Sequence, residues 1–154
     1  MLRLALAWLH LVALAIGFGA VYSRGRSLAQ RPLTIPDVKR AFIADSWWGA
    51  AAGLWLVTGL WRLFGSMEKA ASYYQHNYIF VLKMVMFLAI LALEAWPMIT
   101  LIKWRTALNK STDALRPPES TASAISRISF IEATILLFIV LAAVAMARGY
   151  GSRA

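Results

Sequence analysis

Four long apolar runs dominate this sequence, at approximately residues 3–23, 46–64, 78–100 and 124–148. Each reaches the length of about 20 residues that a helix needs to cross a bilayer. The composition agrees. Of the 154 residues, 60% are hydrophobic and 15% charged, with a mean hydropathy of +0.63. A soluble domain has about 45–50% apolar and about 25% charged residues. The expected fold is therefore all-α: an integral membrane protein of four antiparallel transmembrane helices in an up-down bundle, with residues 1–154 as one domain. The first run ends in "GFGAVYS", which has the flavour of a signal peptide, but it is read as the first helix.

The net charge of +9 raises the question of nucleic acid. Helices this apolar offer no basic face for it, so nucleic acid is not an expected partner. The Lys and Arg residues fall mostly in the connections, where the positive-inside rule puts them. Arg24, Arg26, Arg31, Lys39 and Arg40 follow the first run, and Lys103, Arg105, Lys110, Arg116 and Arg127 follow the third. Those ten face five on the other side: Arg3, Arg62, Lys69, Arg148 and Arg153. The ten-residue side is predicted to be cytoplasmic, with both termini periplasmic. With no cysteine in the chain, disulfides, thiol catalysis and thiolate metal sites are excluded.

The connections carry local signals. In "TIPDVKRAF", Thr34 is an N-cap with Asp37 three residues on, close to a capping box. That helix is expected to run into the second span, with Trp47 and Trp48 at the inner interface. "LRPPES" breaks the chain at Pro117 and Pro118, after which Ser120 or Thr121 caps the fourth span. "SMEKAASYYQHN" reads as a short interfacial helix, with Tyr73 and Tyr74 in the aromatic belt.

Against this background the intramembrane polar residues stand out, because each charge in hydrocarbon costs at least about 2.5–3.5 kcal/mol. "NYIFVLKMVMFLAILALEAWPMITLIKW" carries Lys83 and Glu94 on nearly one helical face, shared with Phe87, Ile90 and Pro97. They lie about 16 Å apart along the axis at about 1.5 Å per residue, so each needs its own partner. Counting depth along antiparallel spans puts Glu94 and Glu132 in one inner layer, bordered by Asp45 and Arg127. If close, the two carboxylates disfavour joint ionisation; alternatively Arg127 bridges to one of them. They are either glue between helices or a proton layer.

His10 and Lys83 fall in a second, outer layer. His10 shares a face with Ala13 and Gly17, a small-residue pattern that lets another helix approach and buries the imidazole. It is either a hydrogen-bonded core histidine or an axial ligand of haem held between helices. Lys83 either snorkels to the headgroups or anchors a tetrapyrrole propionate. His76, just before the third span, is a candidate second axial ligand, and two histidines allow at most one bis-histidine haem. Gly49 and Gly53 make a GxxxG spacing, for a dimer or for packing within the chain. Trp8, Trp55, Thr58 and Trp61 lie near the His10 layer and are candidates to line a flat ligand's pocket.

The strings "WLHLVALAIGFGAVYSR", "ADSWWGAAAGLWLVTGLWRLF", "YYQHNYIFVLKM" and "LEAWPMITLIKWR" resemble an uncharacterised family of small bacterial four-span membrane proteins, a domain of unknown function. "WLHLVALAIGFGAVYSR" and "HNYIFVLKMVMFLAIL" are also similar to the first and third spans of HemJ-type protoporphyrinogen oxidases and of CopD-like copper-resistance proteins. That resemblance implies His10 and Lys83 as functional positions and haem b as cofactor. The sequence departs from the HemJ pattern where "GAVYSRGRSL" replaces a basic, histidine-bearing segment and "LEAWPM" replaces a third-span histidine.

The sequence thus predicts a bacterial inner-membrane protein that binds a tetrapyrrole or is redox-linked. His10 would be ligand or base, Lys83 an anchor, and Glu94 and Glu132 a proton layer. Two other classes compete with it: a non-catalytic accessory or assembly subunit of a larger membrane complex, and a small proton or cation conductor. Expected partners are the lipid bilayer and a homo-oligomer or larger complex.

Overall fold

The computed structural model describes residues 1–64, 77–110 and 117–151, the side chains of 62–64 aside. It has four helices: α1 (Leu2–Leu28), α2 (Ile35–Phe64), α3 (Tyr78–Lys110) and α4 (Glu119–Ala147). There are no strands among the described residues. Three of the helices, α1, α3 and α4, are long and apolar enough to cross a membrane. Helix α2 is 30 residues long but its described residues fall short of that apolarity, because its run is rich in Trp and Gly, which contribute little hydropathy, and its first turns are charged.

The side-chain contacts show that neighbouring helices run antiparallel. His10 meets Thr58 and Arg24 meets Asp45 across α1 and α2. Gly25 meets Ser126 while Tyr22 meets Phe130 across α1 and α4. Phe42 meets Arg105 while Trp55 meets Phe87 across α2 and α3. The packing is uneven: α1 lies closely along α2 and α4, and α4 along α3, whereas α2 and α3 touch only lightly. The result is an up-down ring with one loose seam, between α2 and α3.

Glycine decides where backbones come close. A Cβ on Gly17 would lie 3.0 Å from the Trp48 ring, and one on Gly25 would lie 3.2 Å from Ser129 Cβ. Lipid tails are as apolar as leucine, so such close packing, more than water exclusion, holds membrane helices together. Trp48 is consequently buried in the core against α1. Gly49 and Gly53 face outward with nothing near the position of a Cβ. They take no part in close packing within the chain.

The ends follow local rules with one exception. Thr34 and Asp37 form the expected capping box: the Thr34 backbone N–H donates to Asp37 Oδ2 at 3.1 Å and the Asp37 N–H to Thr34 Oγ1 at 3.4 Å. Burial raises the Asp37 pKa, but the Thr34 hydroxyl bond outweighs it, and the Thr34 N–H and Arg40 add to the net lowering below the ordinary carboxylate range. Helix α4 starts two to three residues earlier than expected. Pro118 occupies the N-cap position without a side-chain cap, and Ser120 and Thr121 lie inside the first turn. Glu119 there complements the positive helix end. At the start of α3, Asn77 Oδ1 accepts from the Ile79 and Phe80 N–H groups, and its amide donates to the Tyr150 carbonyl at 3.1 Å. The interfacial helix expected over "SMEKAASYYQHN" lies outside the described residues.

Candidate functional site

The centre of the bundle is a guanidinium. Arg24, near the C-terminal end of α1, is wholly buried, and each of its five N–H donors is used. Nε donates to Ser129 Oγ at 2.9 Å. Nη1 donates to Asp45 Oδ1 at 2.9 Å and to Glu94 Oε1 at 2.7 Å. Nη2 donates to Glu94 Oε2 and Glu132 Oε2, both at 2.7 Å. The planar fork of arginine has five donors in a fixed arrangement, and here α2, α3 and α4 each supply a carboxylate to it. Gly25 makes this possible. Without a side chain it lets α4 approach α1, and its carbonyl accepts from Ser126 Oγ at 2.8 Å.

The network is flanked by apolar side chains above and below. On the His10 side lies an apolar cluster that includes Ala13, Val21, Trp55, Ile90 and Leu136. On the other side lies a second, including Leu28, Val38, Phe42, Leu101 and Ile125. The side chains of Arg24 and Glu132 are 0% exposed, while those of Asp45 and Glu94 are 13% and 14% exposed. The two partly exposed members thus belong to α2 and α3, the helices of the loose seam. Glu132 Oε1 is buried and has no hydrogen-bond partner among the described residues.

The sequence places Glu94 and Glu132 in one layer, and the structure brings them together on one nitrogen. Asp45 joins them. Arg127 does not: it is exposed on α4, and the partner is Arg24, which the sequence reading assigned to a connection. The signal for it is the stripe His10, Ala13, Gly17, Ala20, Arg24, whose steps of three and four residues continue one helical face.

The outer layer is separate. The His10 ring is half-buried, its Nδ1 is 2.9 Å from Thr58 Oγ1 and its ring stacks on Trp55 at 5.5 Å. The Thr58 hydroxyl donates to the Leu54 carbonyl at 2.7 Å, so it accepts from His10 Nδ1–H and leaves the lone pair on Nε2. Trp55 continues edge-on to Phe87, one turn along α3 from the half-buried Lys83. Thus His10 and Lys83 occupy the same end of the bundle. His76 lies outside the described residues.

A haem beside His10 requires a flat slot. On the α2 side the ring is flanked by Trp55, Thr58 and Gly59, and a Cβ on Gly59 would sit 3.2 Å from His10 Cε1. The crevice among Ala13, Leu14, Trp48, Ala51, Ala52, Trp55 and Leu136 is too narrow for a water molecule. Trp8 and Trp61 point outward, 62% and 53% exposed. On that α2 flank the described residues leave no space beside the ring for a macrocycle. Nor does any group of three or more His, Asp or Glu among them have the arrangement of a metal site.

A bundle of long apolar helices around a buried arginine–carboxylate network defines a helical membrane protein. Residues 2–151 match the family described as Predicted membrane protein (DUF2214), and the chain belongs to that family, whose function is unknown. No curated protein and no solved structure matches the chain.

Proposed function

We propose that this chain is a four-span protein of the bacterial inner membrane whose working element is an ion-exchange site, for a proton or small cation, at Arg24, Asp45, Glu94 and Glu132. The observation that carries this reading is the charge balance of the network. One guanidinium meets three carboxylates in a site where each uncompensated charge costs several kcal/mol. Ionisable groups within the membrane mark ion pathways by default. With Arg24 removed from the count of connection charges, the basic bias still favours the Leu28 end as cytoplasmic, with both termini periplasmic.

The apolar cluster between the network and the His10 layer argues against an open pore. Exchange would instead require movement at the α2–α3 seam, the least packed contact in the ring. Flux across proteoliposomes under an imposed pH or potassium gradient tests this. Wild-type protein should dissipate the gradient faster than empty vesicles, and Glu94→Gln should abolish the difference. A Glu94→Gln variant as active as wild type would reduce the network to glue between helices.

A second reading keeps haem b or a porphyrin on His10, with Lys83 and His76 as further contacts. The Thr58 bond favours it, because a hydrogen-bonded Nδ1–H orients an imidazole whose Nε2 is to ligate. Against it stands the filled flank of the ring. A haem absorption band lost in His10→Ala would move the assignment to this reading. The outward-facing Gly49 and Gly53 support a homo-oligomer or a larger membrane complex, through the spacing at which helices approach closely.

A further inference from the structure

We infer that the occupant of this site is a single proton, held on the Glu94–Glu132 carboxyl pair and exchanged sideways through Asp45 and Glu94 at the α2–α3 seam. The inference rests on the ion-exchange reading and names its ion.

Three observations converge on a proton. First, Glu94 Oε2 and Glu132 Oε2 accept from the same Arg24 nitrogen at 2.7 Å, so the two carboxyl groups are neighbours with one cation between them. Two like charges that close do not ionise together, and they titrate as a pair. Second, Glu132 Oε1 is fully buried and has no partner among the described residues. That oxygen is where a carboxyl group can carry hydrogen without giving up a bond to Arg24. Third, the guanidinium fills the position a metal ion would need, since it already binds all three carboxylates. A metal ion at the same oxygens would be repelled by it, whereas a proton occupies no coordination sphere.

The remaining charges are accounted for by element. Helix α1 contributes Arg24, α2 Asp45, α3 Glu94 and, farther along, Arg105, and α4 Glu132. Arg105 donates to the Phe42 carbonyl at 2.7 Å and to Ser46 Oγ at 3.1 Å, closing the seam just beyond Asp45. Trp55 against Phe87 closes it on the other side. Between these two bridges lie the only partly exposed members of the network, Asp45 and Glu94. A proton that reaches the seam passes to Glu94 and on to Glu132; in the reverse direction it leaves by the same route, with no other bond made or broken. With one proton bound, Arg24 and the remaining two carboxylates leave a single negative charge at the exposed, Asp45 side.

The test is pH-titrated infrared difference spectroscopy on the full chain in phosphatidylcholine vesicles. At neutral pH the wild type should show the carbonyl stretch of a protonated carboxyl group, shifted in deuterium oxide, lost in Glu132→Gln and weakened in Glu94→Gln. Adding sodium or potassium should leave it unchanged. The wild-type band and its deuterium shift decide the matter even where a variant fails to fold. If the wild type lacks the band and its carboxylate bands respond to sodium or potassium, the proton is wrong and the ion-exchange reading survives. If neither response occurs, both fall.

Discussion

Replacing Arg24 by methionine removes the one cation that three carboxylates share, while roughly conserving apolar volume. The five bonds it makes, three of them at 2.7 Å, are lost together, and Glu132 is left wholly buried. Removing one partner of a buried ion pair costs about 3–5 kcal/mol. Arg24→Lys keeps the charge but has three donors in place of five. At least two charged hydrogen bonds disappear, each worth about 1.5–3 kcal/mol. Lysine should therefore rescue little. The order of stability is wild type, then Arg24→Lys, then Arg24→Met. The methionine variant should regain stability as the pH falls, because protonating the abandoned carboxyl groups removes their repulsion. The assay is reversible unfolding in mixed detergent micelles, followed by circular dichroism at several pH values. Arg24→Met within about 1 kcal/mol of wild type at neutral pH, with no recovery in acid, would refute the reasoning. Such a loss lies within the range of ordinary surface and mild core substitutions.

Three further outcomes are expected. Gly17→Ala, whose Cβ would lie 3.0 Å from the Trp48 ring, should cost about 1–3 kcal/mol by overpacking in the same unfolding assay. Gly49→Ala, which meets nothing, should cost nothing; equal losses would contradict the packing of α1 on α2. Asp37 is held below its ordinary range in the folded protein chiefly by the Thr34 hydroxyl. Its cap should thus stabilise fully above the normal carboxylate range and weaken as the pH falls through the depressed value, a dependence that Thr34→Ala reduces in an acid melt. In Thr58→Val the His10 Nδ1 bond is lost, so nitrogen NMR should show a mixture of imidazole tautomers in place of one with Nδ1–H. An unchanged tautomer would mean that Thr58 does not set it.

Helix existence was legible because length and apolarity alone dictate it. The four runs became four helices, and only the ends moved, as at α4, where Pro118 itself took the N-cap position. Depth counting brought Glu94 and Glu132 to one layer because antiparallel helices of known rise leave little freedom in that coordinate. Arg24 was not legible by the same route. It sits between Ser23 and Gly25 in "YSRGRSL", beside Arg26, where a basic residue looks like a connection charge. Helix α1 continues past it to Leu28, and the Gly25 backbone brings α4 close enough to bury it. The physical clue was the imbalance itself, since three carboxylates in apolar surroundings demand a cation. Arg127 met that demand by depth but not by direction, because it lies on the outer face of α4. Gly49 and Gly53 mislead in the opposite sense: their spacing permits close contact, but the contacts within the chain use Gly17 and Gly25 instead.

Everything about the site depends on Arg24 lying inside the bundle and binding carboxylates from three helices. Solid-state NMR on protein in lipid, labelled with 15N at arginine and 13C at aspartate and glutamate, addresses that directly. The account predicts one slowly exchanging guanidinium, with Nη1 correlated to Asp45 and Glu94 and Nη2 to Glu94 and Glu132. An Arg24 guanidinium that exchanges rapidly with water and shows no carboxyl correlations would contradict it.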